Sequence, residues 1–258
     1  DHRSDIFSLG TILHEMLAGE PPFRDGHEAA VLYSIVHEKP DELPEDIVNF
    51  EAAKYYANIL MPLAPVVKKV LAKLDSLDLD LDIVAPDHGP IWRRDFSRIL
   101  ERYRKWADRE TIDKAVVVFD TMWGSTDLMG RVIAEGLASQ DFYTKVMPLR
   151  GSHRSDIATE VLDASLLVVG SPTINNNMFP TVADFLSYMS GLKPAGISGA
   201  AFGSYGWSGE APGLVRESLE KMKANLAAEE LKVKYVPDEK DLADCRSLGV
   251  KLAKTVRE

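Results

Sequence analysis

Apolar positions follow three different rhythms along the chain. Near the start Ile6, Leu9, Ile12, Leu13, Met16 and Leu17 recur at helical spacing, until Gly19 and Pro21-Pro22 stop the pattern. A second helix is predicted over 28–37, after the loop Phe23-Arg-Asp-Gly-His-Glu28. Residues 51–74 read as helical again, with Tyr55, Tyr56, Ile59 and Leu60 on the apolar side and Pro62 and Pro65 as interruptions. Leu79, Leu81, Ile83, Val84 and Ala85 predict a short strand, and a helix is expected over 96–106. From about residue 110 the rhythm changes. Apolar runs at 115–119, 144–148, 166–170, 199–202 and 231–236 alternate with amphipathic stretches at 128–137, 157–163, 182–189, 214–227 and 242–256. Five strands alternating with five helices predict one α/β domain, a doubly wound parallel sheet, preceded by a mainly helical and incomplete N-terminal region.

Composition narrows the classes. The 258 residues suffice for one large domain or two ordinary ones. A net charge of −10 argues against a nucleic-acid partner, which selects for a basic face, and suits basic or small-molecule partners. No apolar run approaches the ~18 residues of a membrane span, so no membrane partner is expected. Cys245 is the single cysteine, which leaves no internal disulfide and no paired-thiolate metal site; an inert buried thiol is expected. The first residues lack a basic start followed by an apolar core, and the expected location is cytoplasmic.

The chemistry gathers in the loops after strands. Behind the first predicted strand comes Thr121-Met-Trp-Gly-Ser-Thr126, directly before a helix. Such a turn aims backbone N–H groups and the positive end of a helix dipole at one spot, and Thr121, Ser125 and Thr126 add hydroxyl donors. The lysine of a nucleotide-triphosphate loop is absent, and only Gly124 stands where a dinucleotide loop needs three spaced glycines. A phosphate monoester held by neutral donors remains, and an ordinary loop capped by Ser or Thr fits these six residues equally well.

Two more loops shift that balance. In doubly wound sheets, ligands sit beyond the carboxyl ends of the strands where the strand order reverses; with order 2-1-3-4-5 the loops after the first, third and fourth strands meet there. The third is followed by Ser171-Pro-Thr-Ile-Asn-Asn-Asn-Met-Phe-Pro180 and the fourth by Gly203-Ser-Tyr-Gly-Trp-Ser-Gly-Glu210. The amides of Asn175, Asn176 and Asn177 suit a pyrimidine edge, Gly203, Gly206 and Gly209 permit close backbone approach, and Tyr205 and Trp207 suit an aromatic face.

Phe119-Asp-Thr-Met-Trp-Gly-Ser-Thr126, Ser152-His-Arg-Ser-Asp156, Gly170-Ser-Pro-Thr173 with Asn175-Asn176, and Ala201-Phe-Gly-Ser-Tyr-Gly-Trp-Ser-Gly209 resemble the flavodoxin-like half of flavodiiron proteins (A-type flavoproteins). Upstream, Ala52-Ala-Lys-Tyr-Tyr-Ala-Asn-Ile59 and Pro86-Asp-His-Gly-Pro-Ile-Trp92 resemble the end of that family's metallo-β-lactamase-like domain. The resemblance implies a flavodoxin-like domain over 111–258. It implies FMN bound by Thr121, Met122, Trp123, Gly124, Ser125 and Thr126, by Pro172, Thr173, Asn175 and Asn176, and by Ser204, Tyr205, Gly206, Trp207, Ser208 and Gly209. It makes 41–110 the C-terminal remnant of the metallo-β-lactamase-like domain, in which His88 matches the last ligand of a diiron centre that reduces O2 or NO. The other ligands are not found in the sequence, so His88 is expected to be vestigial and the diiron centre absent, with reductase activity lost or very weak.

Residues 1–40 carry a second resemblance. Arg3-Ser-Asp-Ile-Phe-Ser-Leu-Gly10, Glu15-Met-Leu-Ala-Gly19 and Pro22-Phe23 resemble a large-lobe fragment of protein kinases, Asp5 matching an Asp that supports the catalytic loop. The glycine-rich loop, the strand lysine, and the HRD and DFG motifs are missing, so this fragment is expected to be non-catalytic. The join between the two resemblances falls at about 38–44. The expected function is an FMN-binding electron-transfer module of a truncated flavodiiron-type oxidoreductase. Its expected redox partner is a protein such as rubredoxin or a reductase, and a homodimer is left open. The alternatives are a flavodoxin-like NAD(P)H:quinone reductase and a non-catalytic interaction module that uses the helix over 6–17.

Overall fold

The computed structural model describes residues 2–24, 27–37, 44–77, 79, 81, 83–86, 88–89, 91–93 and 95–258. The expected join at 38–44, apart from Pro44, lies outside the described residues, as do Asp87, Pro90 and the Asp5 side chain. Two units divide the chain: Asp1–Ala53 with Ala85–Trp92, and Lys54–Val84 with Arg93–Glu258.

The first unit holds helices α1 (His2–Ala18) and α2 (Glu28–His37) and most of α3 (Glu45–Tyr55). The helical spacing read from the sequence is real, but it faces water: Leu9, Ile12, Leu13 and Met16 are all exposed. Phe7 stacks on Phe23 with ring centroids 6.0 Å apart. Among the described residues of this unit only Pro22 and Ser34 are buried.

The second unit begins where α3 widens into a π-helical turn, Tyr56–Leu60, followed by a 3-10 turn, Met61–Leu63, and α4 (Ala64–Ser76). Pro62 has no N–H to give to a helical ladder, which accounts for the change of pitch. Tyr56 is fully buried against Tyr103 and Trp106 of α5 (Phe96–Asp108), each ring centroid 5.3 Å away. The strand predicted near 79–85 is not formed among the described residues, where Val84 makes only an isolated bridge.

Strands β1 (Ile112–Phe119), β2 (Tyr143–Pro148), β3 (Ala164–Gly170) and β6 (Ser198–Tyr205) form the parallel sheet, and β7 (Asn225–Leu226) with β8 (Leu231–Lys234) fills its last position. The path is β2-β1-β3-β6, then β7 beside the start of β6 and β8 beside its end. This is the predicted order with its fifth strand broken in two. The central strands β1, β3 and β6 are almost continuously buried because both of their faces are covered. On one face Ala115, Val117, Phe119, Leu166, Val168, Ala200 and Phe202 meet α6 (Ser125–Ala138) and α10 (Glu239–Arg257). Strand alternation turns Val116, Val118, Leu167 and Val169, also buried, to the other face, on the side of α7 (Arg154–Val161), α8 (Pro180–Leu192) and α9 (Ala211–Lys221). A small antiparallel hairpin, β4 (Thr173–Ile174) and β5 (Asn177–Met178), stands apart from the sheet.

Candidate functional site

The carboxyl ends of β1, β3 and β6 deliver three loops to one place. The first leaves β1 after Phe119 and enters α6 through Gly124, whose φ of +93° reverses the chain tightly. Thr121 stiffens this turn by accepting the Gly124 N–H at 3.0 Å on its hydroxyl oxygen. No side chain caps α6. Helix geometry gives the first N–H groups of α6 no carbonyl partner, and they carry the positive end of its dipole.

The second loop is the β4–β5 hairpin. Asn175 and Asn176 both adopt positive φ, 50° and 56°, as the two central residues of a tight primed turn require. The run of three asparagines therefore has a backbone reason as well as a chemical one. Ser171, buried at the loop's base, accepts the Phe179 N–H at 2.8 Å and donates to the Pro172 carbonyl at 2.9 Å. The third loop follows β6. Its Ser208 hydroxyl bonds Asn176 Oδ1 at 3.3 Å and Glu210 at 2.7 Å, and Thr173 Oγ1 accepts the Ala211 N–H at 3.2 Å. Thr126 Oγ1 lies 2.9 Å from Ser204 Oγ in a buried pair. Hydrogen bonds thus tie the second loop to the third, and the first turn of α6 to the end of β6.

Between them opens a cleft of about 610 Å³. Met122, Trp123 and Ser125 line it from the first loop, Pro172, Thr173, Ile174, Asn175 and Asn176 from the second, and Ser204, Tyr205, Gly206, Trp207 and Ser208 from the third. Tyr235 and Val236, beyond β8, complete it. No charged side chain is in this lining. Trp123 and Trp207 are 89% and 94% exposed, an unusual position for large apolar rings.

Six of the residues singled out from sequence are outside the lining: Asn177, whose Oδ1 accepts the Met178 N–H at 2.8 Å, Gly203, where a Cβ would lie 1.9 Å from the Ser171 carbonyl oxygen, and four that stand behind it. Thr121 and Gly124 shape the turn, Thr126 turns inward to Ser204, and Gly209 underlies the Tyr205 ring, which lies 3.0 Å from where a Cβ on that glycine would be. Ile174, Tyr235 and Val236 were not singled out. The sequence placed Tyr235 and Val236 in the fifth strand; instead that strand ends at Lys234, and Tyr235 turns out of it at φ 65° while its N–H bonds the Tyr205 carbonyl at 2.7 Å. A signal was present in the Tyr-Val-Pro-Asp run, since a proline and an Asp mark the next helix start.

His88 is exposed in the first unit, and the described residues contain no group of three or more His, Cys, Asp or Glu side chains that could hold a metal ion. Cys245 is buried in the core, and burial, with Asp241 and Asp244 nearby, pushes its thiol up to about 12. No helix among the described residues is long and apolar enough to cross a membrane.

Comparison with known proteins adds four likenesses. The family described as Flavodoxin matches residues 117–249. The chain is 41% identical over 219 residues to the nitric oxide reductase of Moorella thermoacetica, covering 84% of this chain and 55% of that one. That match is longer than the stretch from 117 to the last residue, so it takes in upstream segments as well. The solved structure of rubredoxin oxygen:oxidoreductase from Desulfovibrio gigas superposes with a TM-score of 0.77 at 36% identity, over 80% of this chain and 52% of that one. The flavodiiron protein of Giardia intestinalis superposes at 0.75 and 30% identity, over 80% and 51%. The chain spans about half the length of these relatives.

Proposed function

This chain belongs to the flavodoxin family and to the flavodiiron proteins, and on that premise we propose that its cleft binds FMN as the electron-transfer module of a flavodiiron-type oxidoreductase whose diiron ligand set is not complete in these residues. The observation that carries the reading is the uncapped start of α6 opening beside a cleft that is walled by aromatic rings and free of charged side chains. The donor set fits the group. A phosphate monoester suits the Ser125 hydroxyl and the first-turn amides of α6, which offer hydrogen bonds and dipole without a fixed cation. The flavin ring suits Trp123, Tyr205, Trp207 and Tyr235, whose indoles and phenols exclude water from an apolar plane. The Asn175-Asn176 turn presents backbone and amide groups suited to a polar ring edge. When bound, FMN supplies reversible electron transfer.

Electrons would arrive from a redox protein such as rubredoxin or from a reductase, in keeping with the name of the Desulfovibrio relative. In this reading 111–258 is the FMN domain, 41–110 is the end of a metallo-β-lactamase-like domain in which His88 is the vestige of a last iron ligand, and 1–40 is a non-catalytic kinase-like segment. The protein works in the cytoplasm. This reading does not require a homodimer, because a second copy of these residues brings the same incomplete set of iron ligands.

Titration of the full chain with FMN tests this directly. Quenching of flavin fluorescence and a visible spectrum bleached by dithionite are expected, with no bleaching by NAD(P)H alone. Trp123→Ala and Trp207→Ala should each weaken FMN binding by about threefold or more. Because both rings are exposed, neither change should move the urea midpoint beyond ~0.5 kcal/mol of stability. A chain that takes up no flavin would refute the reading.

A further inference from the structure

We propose that Asp120 is the positioning residue that shapes the phosphate loop, a role that rests on the FMN reading and assigns this buried carboxylate within it. Asp120 is the first residue beyond β1, and its side chain is only 2% exposed. It opens the first of the cleft loops without lining the cleft itself. Its two oxygens instead receive three hydrogen bonds from three different segments. Oδ1 accepts the Thr121 N–H at 2.7 Å and Arg150 Nε at 3.1 Å, and Oδ2 accepts the Thr181 hydroxyl at 2.6 Å. Arg150, in the connection after β2, also donates from Nη2 to the Thr121 carbonyl at 2.5 Å. Both backbone groups of Thr121 are thereby fixed, one by the carboxylate and one by its guanidinium partner.

The consequence passes along the loop. Thr121 holds Gly124 through its hydroxyl, Gly124 sets the start of α6, and Thr126 in the first turn is tied to Ser204. The amides offered to the anion are therefore anchored at both ends, and the upstream anchor is Asp120. Thr181 belongs to the first turn of α8, which follows the hairpin loop of the same cleft. The carboxylate thus sets two of the three cleft loops relative to each other.

Electrostatics sharpens the point. A carboxylate placed one residue before an anion cradle repels the anion. Arg150 offsets that charge, and the pair presents hydrogen-bonding geometry rather than net charge. Geometry and charge therefore predict opposite effects when the carboxylate is neutralised.

The test compares FMN with riboflavin, which lacks the phosphate, by fluorescence titration of the full chain. If Asp120 positions the loop, Asp120→Asn weakens FMN about tenfold or more while leaving riboflavin within about twofold, so the FMN preference collapses. Thr181→Val removes one of the three bonds at nearly constant volume and should lower the same preference by about threefold or more, with Thr181→Ser restoring it. Loss of global stability alone leaves the ratio of the two affinities unchanged. Tighter FMN binding by Asp120→Asn would show that the carboxylate acts only as a charge, and an unchanged ratio in both Asp120→Asn and Thr181→Val would equally overturn the proposal. Should Asp120→Asn fail to fold, the Thr181→Val and Thr181→Ser pair decides. A wild-type chain that binds neither flavin would refute the FMN reading itself, whereas wild-type preference for FMN retained in every variant would refute only the role of Asp120.

Discussion

The hydroxyls of Thr126 and Ser204 meet 2.9 Å apart in a buried pair. Replacing Thr126 with Val keeps the volume and strips the hydroxyl, which leaves Ser204 buried without its partner. Such an orphan costs about 1–3 kcal/mol, and urea unfolding of Thr126→Val should register that loss at an unchanged slope. An unmoved midpoint would show that the pair contributes nothing. Residue type announced the donors of this site well: the hydroxyl-rich turn, the asparagine run and the glycine–aromatic loop all reach the cleft region. It did not announce direction, because Thr126 and Ser125 look alike in sequence while one faces the core and the other the cleft. Tyr235 went unread as well: Pro237 and Asp238 mark where the strand must end, but residue type alone does not name the φ of 65° that turns Tyr235 out of it. Cys245 carries a pH signature at the same scale. Burial raises its thiol from 9.0 to about 12, so the folded state keeps a proton that the unfolded chain releases. Its contribution is present below pH 9.0 and is lost as pH rises toward 12. Stability of the wild type should therefore fall more steeply over that window than that of Cys245→Ala, as followed by denaturant unfolding at each pH; parallel curves would refute it.

Helices α6 and α10 touch backbone to backbone, and two glycines make that contact. A Cβ on Gly136 would lie 2.3 Å from the Arg246 carbonyl oxygen, and one on Gly249 would lie 2.2 Å from that of Ile133. Neither obstacle is a side-chain tip that could swing aside. Gly136→Ala and Gly249→Ala should each destabilise by about 1–3 kcal/mol through overpacking, although alanine is the better helix former by about 1 kcal/mol. Thermal unfolding decides; a stabilised variant would mean that the helices separate freely. The helices themselves were legible from apolar spacing, yet each helix of the sheet domain starts about three residues earlier than that spacing suggests. The first turn needs no internal acceptor for its N–H groups, so polar and proline residues such as Ser125, Arg154, Pro180 and Pro212 fill it without showing periodicity. At the other end α9 stops at Lys221, because Asn225–Leu226 leaves the helix to pair with β6. Helical and strand spacing cannot be told apart over two residues.

Across the whole molecule, the segment from Lys54 to Val84, together with α5, belongs to the same unit as the sheet. The spacing of Tyr55, Tyr56, Ile59 and Leu60 revealed a helix there but not its seat, because the seat is made by residues about a hundred positions away. Asn58 supplies much of it. Its amide nitrogen donates to the Lys54 carbonyl at 2.7 Å and to the Ser155 carbonyl of α7 at 3.1 Å, while its oxygen accepts the Tyr188 hydroxyl of α8 at 2.5 Å. Lys54 adds an ion pair to Asp156 at 2.6 Å, a half-exposed contact of small worth by comparison. One side chain thus bridges the π-helical turn to two helices of the sheet domain. Asn58→Ala deletes three bonds and leaves the Tyr188 hydroxyl short of its acceptor, a loss of about 2–3 kcal/mol if the segment and the sheet unfold together. In that case the urea transition shifts as a whole, and amide exchange quickens in 56–76 while the β1 and β3 amides stay the slowest. If the segment were seated independently, the Asn58→Ala transition would split in two, with the sheet melting at the wild-type midpoint. That outcome would show that the upstream helices merely adjoin the FMN domain, and that cooperativity across the unit comes from elsewhere.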